Sequence, residues 1–312
     1  MTRHLSHVTT QVLPAVVIAG LFGLLSNDTS AAPESTESPV TVEGESRPQT
    51  IQVVGIVRDF IERSSAGGHP DFENRPDCGF GHYAGNVALT IGENRKPVFT
   101  GQGSRVVDQY YDADGRPICY ALYDQMLGDV EGTRSQSSTG GITSAESFES
   151  WYTDVQGMNI SSALSLTLEL QPDGQYVFDD RVDEMYKNMG GFFPVDDQHF
   201  GNSGGSPDHN FHFTVELNMA FKYEAEGDQY FKFIGDDDVW VFIDDRLVID
   251  LGGVHTAVEQ HVDLDRLRLE DGEIYPIDFF FAERHRTQSN FRIETNIPLE
   301  TASAPLVAVA TD

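Results

Sequence analysis

The chain is short of positive charge. Its 312 residues hold 20 Lys and Arg against 50 Asp and Glu, a formal net charge of −30. Phosphate contacts require Lys and Arg, so the balance excludes nucleic acid and anionic membrane surfaces as partners. It fits cation binding and high-salt solubility equally well, and charge alone does not separate the two. Cysteine is nearly absent: Cys78 and Cys119 are the only two, and no Cys/His quartet surrounds them. That argues against a structural zinc site. There is no His-Glu-x-x-His run of the kind zinc proteases carry. Apolar residues are not scarce, at 39 %, so acidity does not imply disorder and one good core is available.

Only one apolar run stands out, Val12 to Leu25, preceded by Arg3 and His4 and followed by Thr29-Ser-Ala-Ala32. It is short of the ~20 residues needed to span a bilayer. The layout is that of a secretory signal peptide over residues 1–31, cleaved after Ala31. Residues 32–50, rich in Pro, Ser, Thr and Glu, read as a flexible leader. In an exported protein, Cys78 and Cys119 are most simply one disulfide, closing a loop of about 40 residues and contributing roughly 3–4 kcal/mol. The mature chain is expected to be secreted and to have no membrane span.

Order is expected from Ile51, whose segment Ile51-Gln-Val-Val-Gly-Ile-Val57 is rich in β-branched residues. Asn86–Ile91 and Ser165–Leu170 read as strands, the second followed by the turn Pro172-Asp-Gly174 and by Gln175–Phe178. Residues from about Leu127 to Glu146 read as a mobile Gly, Ser and Thr loop, and Ser147–Thr153 as a short helix. From Asn210 the strand signal is almost continuous. Phe211, Phe213, Val215 and Leu217 alternate with polar residues, then come Gln229–Ile234, Val239–Ile243, Leu247–Asp250, Ile274–Phe281 and Phe291–Thr295. The expected fold is all-β: one barrel or sandwich over residues 51–298 with long loops, then a short tail over 299–312.

Asp236, Asp237 and Asp238 sit between two of these runs. Three adjacent charges repel one another unless a cation joins them, and calcium takes oxygen ligands. The competing reading is a solvated acidic turn. The surrounding pattern, Asp236-Asp-Asp-Val-Trp-Val-Phe-Ile-Asp244, resembles the protective-antigen (PA-14) β-barrel domain and, more narrowly, the related fibro-slime domain. Further motifs extend the resemblance: Gly55-Ile-Val-Arg-Asp-Phe60, His69-Pro-Asp-Phe-Glu73, Phe148-x-x-Trp151-Tyr152, Gly191-Phe-Phe-Pro194, Leu251-Gly-Gly-Val-His255, Phe281-Ala-Glu-Arg-His285 and Ser289-Asn-Phe-Arg292.

The resemblance implies a calcium ion held by Asp236 and Asp237 across a cis peptide, with Asn290 as a further ligand from the loop before the last strand. Asp238, Glu283, Arg284 and His285 are expected to line the ligand side. A structural ion-pair cluster is the competing reading for Glu283, Arg284 and His285, and turn capping for Asn290. Asp196 and Asp197 offer a second cation site, and His69 with Asp71 a remote zinc site. The implied function is non-catalytic, calcium-dependent binding of extracellular polysaccharide or cell-surface glycans. The alternative is a matrix protein in which calcium only stiffens the barrel. Adjacent aspartates sharing a metal stay ionised and make poor general acids, which disfavours a glycosidase.

Overall fold

The computed structural model describes residues 47–301. The expected signal peptide, most of the leader and the chain beyond Thr301 lie outside the described residues.

In chain order the strands begin with β1 (Thr50–Phe60), β2 (Tyr83–Ala84), β3 (Ser104–Asp108), β4 (Tyr110–Tyr111) and β5 (Pro117–Ile118). Next come β6 (Thr133–Ser137), β7 (Asn159–Leu170), β8 (Tyr176–Asp179), β9 (Phe213–Lys222) and β10 (Tyr230–Gly235). The last are β11 (Asp238–Ile243), β12 (Arg246–Leu251), β13 (Val258–Asp263), β14 (Ile274–Glu283), β15 (Phe291–Thr295) and β16 (Glu300–Thr301). Eleven strands form one antiparallel sheet in the order β12-β11-β14-β9-β1-β7-β8-β15-β10-β13, with β16 added beside β9. The two ends of that order pack against each other, so the sheet is a nearly closed barrel. At the seam a side chain replaces the missing ladder. Gln260 Oε1 accepts from Asp250 N at 2.8 Å and its Nε2 donates to Asp250 O at 3.3 Å.

Period-2 alternation fills the barrel. Phe213, Val215, Leu217, Met219 and Phe221 of β9 meet Val239, Val241 and Ile243 of β11 and Phe279 and Phe281 of β14 in the interior. The other face of β11 is also buried, and Trp240 and Phe242 join Phe60, Phe72, Phe148, Trp151, Tyr152 and Phe280 in a second apolar cluster. The excursion between β1 and β7 lies over the outside of β11 and β14, which is why all of β11 reads as apolar rather than alternating.

Several expectations are corrected. Asn86–Ile91 is not a strand: it makes only isolated bridges, Val87 to Phe99 and Thr90 to Arg246. The tract after Leu127 is not a featureless loop, because β6 pairs with β3 inside it. The helix α1 (Ala145–Glu149) starts earlier than expected, where Ser144 and Ser147 form a capping box. Order also continues past residue 298, with Leu299 buried and β16 bonded to the barrel.

Cys78 and Cys119 are free thiols, not a disulfide. Cys119 is sealed in the main core, where burial pushes its thiol far above the ordinary range. The Cys78 thiol instead donates to Ser137 O at 3.8 Å.

Candidate functional site

Three connections cross the same end of the barrel. The β10–β11 link is Asp236-Asp237, the β12–β13 link carries Gly252 to His255, and the β14–β15 link runs from Arg284 to Asn290. Because β10 lies beside β15 and β11 beside β14, the first and third connections run alongside each other.

The Asp236–Asp237 peptide is cis. Asp236 Oδ1 accepts from Asn290 N at 2.6 Å, and Oδ2 from Asn290 Nδ2 at 2.8 Å. Asp237 Oδ1 accepts from His255 N at 3.1 Å, and Oδ2 from Arg284 N at 3.2 Å. Asp238 Oδ1 accepts from Gly253 N at 2.5 Å. Gly253 has a φ of +91°, and a Cβ there would fall 2.5 Å from Tyr83 Cδ2, so a side chain would block this approach.

Charge is unbalanced around this turn. Asp236, Asp237, Asp238 and Glu283 are all buried. The buried guanidinium of Arg284 is committed to Asp238, and among the described residues no salt bridge reaches Asp236, Asp237 or Glu283. One Glu283 oxygen accepts from His285 N at 3.3 Å, whereas Oε2 is buried with no partner. Burial, and then the neighbouring Asp236 and Asp238, drive the Asp237 carboxyl well above its usual range. Burial, and then Asp237 and Asp236, do the same to Glu283. Asp236 is raised by burial. Such a group of like charges is relieved by protons or by a cation.

The pair borders an open cleft of about 170 Å³, walled by Phe80, His255, Thr256 and His285. Larger grooves of about 560 Å³ and 750 Å³ lie elsewhere, but neither contains these carboxyls. Phe80 is 39 % exposed and packs on His285 with ring centroids 4.6 Å apart and planes tilted by 30°. The His285 ring is fixed in turn by Glu73 Oε2 at 2.5 Å.

The expected site residues therefore divide. Asp236, Asp237 and His285 border the cleft, and Asn290 is bonded to Asp236. Asp238 and Arg284 are fully buried and bound to each other, so they support the cleft from below instead of facing a ligand. Glu283 is buried beside the pair. The Asn290 carboxamide oxygen accepts from Arg181 Nη2 at 2.7 Å. Phe80 had no sequence signal, since the long excursion between β1 and β7 brings it in, and Thr256 directly follows the Leu251–His255 motif.

The remaining candidates resolve into structure. Asp196 accepts from His209 Nδ1 at 2.5 Å and Asn210 N at 2.8 Å, and Asp197 Oδ1 from Asn202 Nδ2 at 3.1 Å, so both carboxyls serve as clasps in their own loop. His69 Nε2 faces Ser150 Oγ at 2.9 Å and Nδ1 accepts from Asp71 N at 3.2 Å, leaving neither nitrogen for zinc. Gly191-Phe192 anchors the third connection: Phe192 N donates to Ser289 O at 3.0 Å and Ser289 Oγ to Phe192 O at 2.8 Å.

One signal escaped the sequence reading. Gly201-Asn-Ser-Gly-Gly205 has Gly-x-Ser-x-Gly spacing. Ser203 Oγ lies 3.4 Å from His212 Nδ1, and His212 Nε2 lies 3.2 Å from Glu73 Oε1. Unlike a nucleophile elbow, the segment neither leaves a strand nor opens a helix. Glu73 is also shared with His285 and Arg286, and Arg286 pairs with Glu62. Glu62, Glu73 and His212 bring ligand atoms within 4.8 Å of one another, and the Arg286 guanidinium already bridges the two carboxylates.

Residues 194–306, which contain the acidic turn and all three crossing connections, match the PA14 domain family model. The chain is all-β and barrel-like, and over residues 194–306 it is similar to the PA14 domain. It is 37 % identical over 205 residues to Protein psiD of Dictyostelium discoideum, covering 64 % of this chain and 37 % of that protein. It is 34 % identical over 261 residues to Protein psiH of the same organism, covering 81 % and 31 %. The chain thus spans about a third of the length of these relatives. A crystal structure of the PA14 domain of the MpAFP antifreeze protein aligns over 84 % of this chain and 88 % of that one, at 11 % identity and a TM-score of 0.23. Among the described residues no helix is long and apolar enough to cross a membrane.

Proposed function

We propose that the chain is a secreted, non-catalytic carbohydrate-binding module whose ligand contacts a calcium ion at Asp236 and Asp237. The observation that carries this reading is the pair of buried carboxyls Asp236 and Asp237 at the edge of an open cleft, with the buried Glu283 beside them and no salt bridge to any of the three among the described residues. All are hard oxygen donors, and the buried Glu283 Oε2 has no partner, so the donor set fits calcium. Asp236 and Asp237 would hold the ion. Asn290 joins them if its carboxamide turns so that oxygen replaces nitrogen beside Asp236, which breaks its hydrogen bond from Arg181 Nη2. Bound calcium supplies attraction for two adjacent sugar hydroxyls, since two carboxylates cannot fill its 6–8 positions. Phe80, braced by His285, offers a flat apolar wall for a pyranose face. Thr256 offers a hydroxyl within the same cleft.

Export rests on the signal-peptide layout of residues 1–31. The fibro-slime motifs between Gly55 and Pro194 extend the kinship beyond the PA14 segment to the excursion that covers the barrel. A second reading, a matrix protein with purely structural calcium, has its own support. Asp236 and Asp237 are only 2 % and 3 % exposed, and all four of their oxygens already accept hydrogen bonds.

The test is a calorimetric calcium titration of the EDTA-treated chain, followed by a glycan array with and without the ion. Calcium-dependent glycan signals support the module. Calcium binding with no glycan signal supports the matrix reading. No calcium binding overturns both.

A further inference from the structure

We infer that the groove between the Gly101–Ser104 turn and the Ser137–Thr139 segment is a second saccharide site, taking a neutral glycan without a metal ion. This groove, of about 750 Å³, shares no lining residue with the acidic cleft. It is built from the excursion between β1 and β7, outside the barrel strands.

Its walls are fixed from behind. Asn86 is fully buried, and its Nδ2 donates to Gln102 O at 2.9 Å and to Ser138 O at 3.0 Å, one on each wall. Ser138 N also donates to Gly103 O at 3.1 Å. The floor is glycine, from Gly85, Gly101 and Gly103. At Gly103 the φ is +144° and a Cβ would fall 2.3 Å from Asn86 Nδ2, so the clamp and the bare floor require each other. A groove held this way loses little freedom when a ligand enters.

Its lining is uncommitted. Among the described residues the side chains of Gln102, Ser104, Ser137 and Thr139 line the groove without hydrogen bonds to other residues. The Arg134 guanidinium lies over the Tyr120 ring at 4.0 Å and, among the described residues, makes no salt bridge. The stack holds a planar set of N–H donors at the groove edge. Hydroxyls and an amide that both donate and accept, beside a flat platform, match a chain of sugar hydroxyls. The two charged groups, Asp77 and Arg134, balance each other, which favours a neutral sugar. With a single carboxylate present, the groove has no basis for holding a dication.

The test is native gel electrophoresis of the EDTA-treated full chain through soluble mannan, galactan or β-glucan. Retardation is expected in at least one of them, unchanged in Asp237→Asn. It should weaken on the order of tenfold in Arg134→Ala, the loss that follows removal of a charged hydrogen-bond donor. Ser137→Trp, on the fully exposed strand β6, should abolish it by filling the groove. No retardation on any of the three polysaccharides in EDTA overturns the inference. So does retardation that survives both groove variants, or that is lost in Asp237→Asn alone. The calcium reading can fail without affecting these outcomes.

Discussion

Arg284 Nε and Asp238 Oδ2 lie 2.6 Å apart with both side chains sealed from solvent. The same guanidinium donates to Asp71 O at 3.3 Å and Gly140 O at 2.9 Å and lies 5.0 Å over the Trp151 ring. One arginine thereby fastens the covering excursion to the acidic turn and removes the third aspartate from the cleft. Asp238→Ala leaves that guanidinium buried and unpaired, and should cost about 3–5 kcal/mol in urea denaturation. A loss under about 1 kcal/mol would show that the pair does not hold the excursion in place.

Glu283→Gln should act in opposite directions with and without calcium. In EDTA it removes one of three crowded carboxyls and should raise the melting temperature. With saturating calcium the stabilisation gained from the ion should shrink, because a donor with an unpartnered oxygen has lost its charge. Calorimetry on both forms reads the two effects. Equal calcium stabilisation in mutant and wild type would remove Glu283 from the site.

Without calcium, stability should peak near about pH 5, below neutrality. Burial raises Asp250 to about 7 and Asp59 and Asp180 to about 6. Their folded forms hold protons more tightly than the unfolded chain, so stability falls as pH climbs from about 4 through 7. Asp129 is held below its usual range by hydrogen bonds from Arg266, and its contribution is present above that range and lost as pH falls. Melting curves in EDTA between pH 3.5 and 8, spanning both windows, locate the peak. A steady rise to neutrality would contradict the assignment.

Gly235→Ala should loosen the cleft. A Cβ at Gly235 would fall 2.2 Å from Asn290 O, so β15 must move away from β10. Overpacking of this kind costs about 1–3 kcal/mol. The shift also displaces Asn290 from Asp236, so calcium affinity should drop alongside the denaturation midpoint. An unchanged affinity would place Asn290 outside the ion's surroundings.

Alkylation with iodoacetamide should label Cys78 in the native protein and Cys119 only after unfolding, since Cys119 is fully buried and Cys78 is partly exposed. Mass spectrometry counts the additions. Absence of label in non-reducing denaturant would restore the disulfide.

The barrel strands were legible because a period-2 run can bury only one arrangement of side chains, as in Phe213, Val215 and Leu217. The acidic turn was legible because three adjacent carboxylates have few uses. Asn86–Ile91 misled because β-branched composition marks a segment that suits a sheet without naming a partner, and here none runs beside it. The cysteine pairing misled for a similar reason: an even count states an opportunity, while Cys119 went to the core.

Local chemistry was enough to mark the chain from residue 51 onward as all-β and to single out the acidic triplet, whereas the choice of Asp236 and Asp237 within it and of Asn290 came from the family resemblance. Alternation, turn propensity and charge repulsion act over a few residues and can be read in order. Tertiary structure alone decided that Asp238 is neutralised by Arg284, that Phe80 stands beside the cleft, and that Asn86 clamps a second groove. Each of those contacts joins side chains far apart in sequence, and only closure of the barrel and the folding of the excursion over it bring them together.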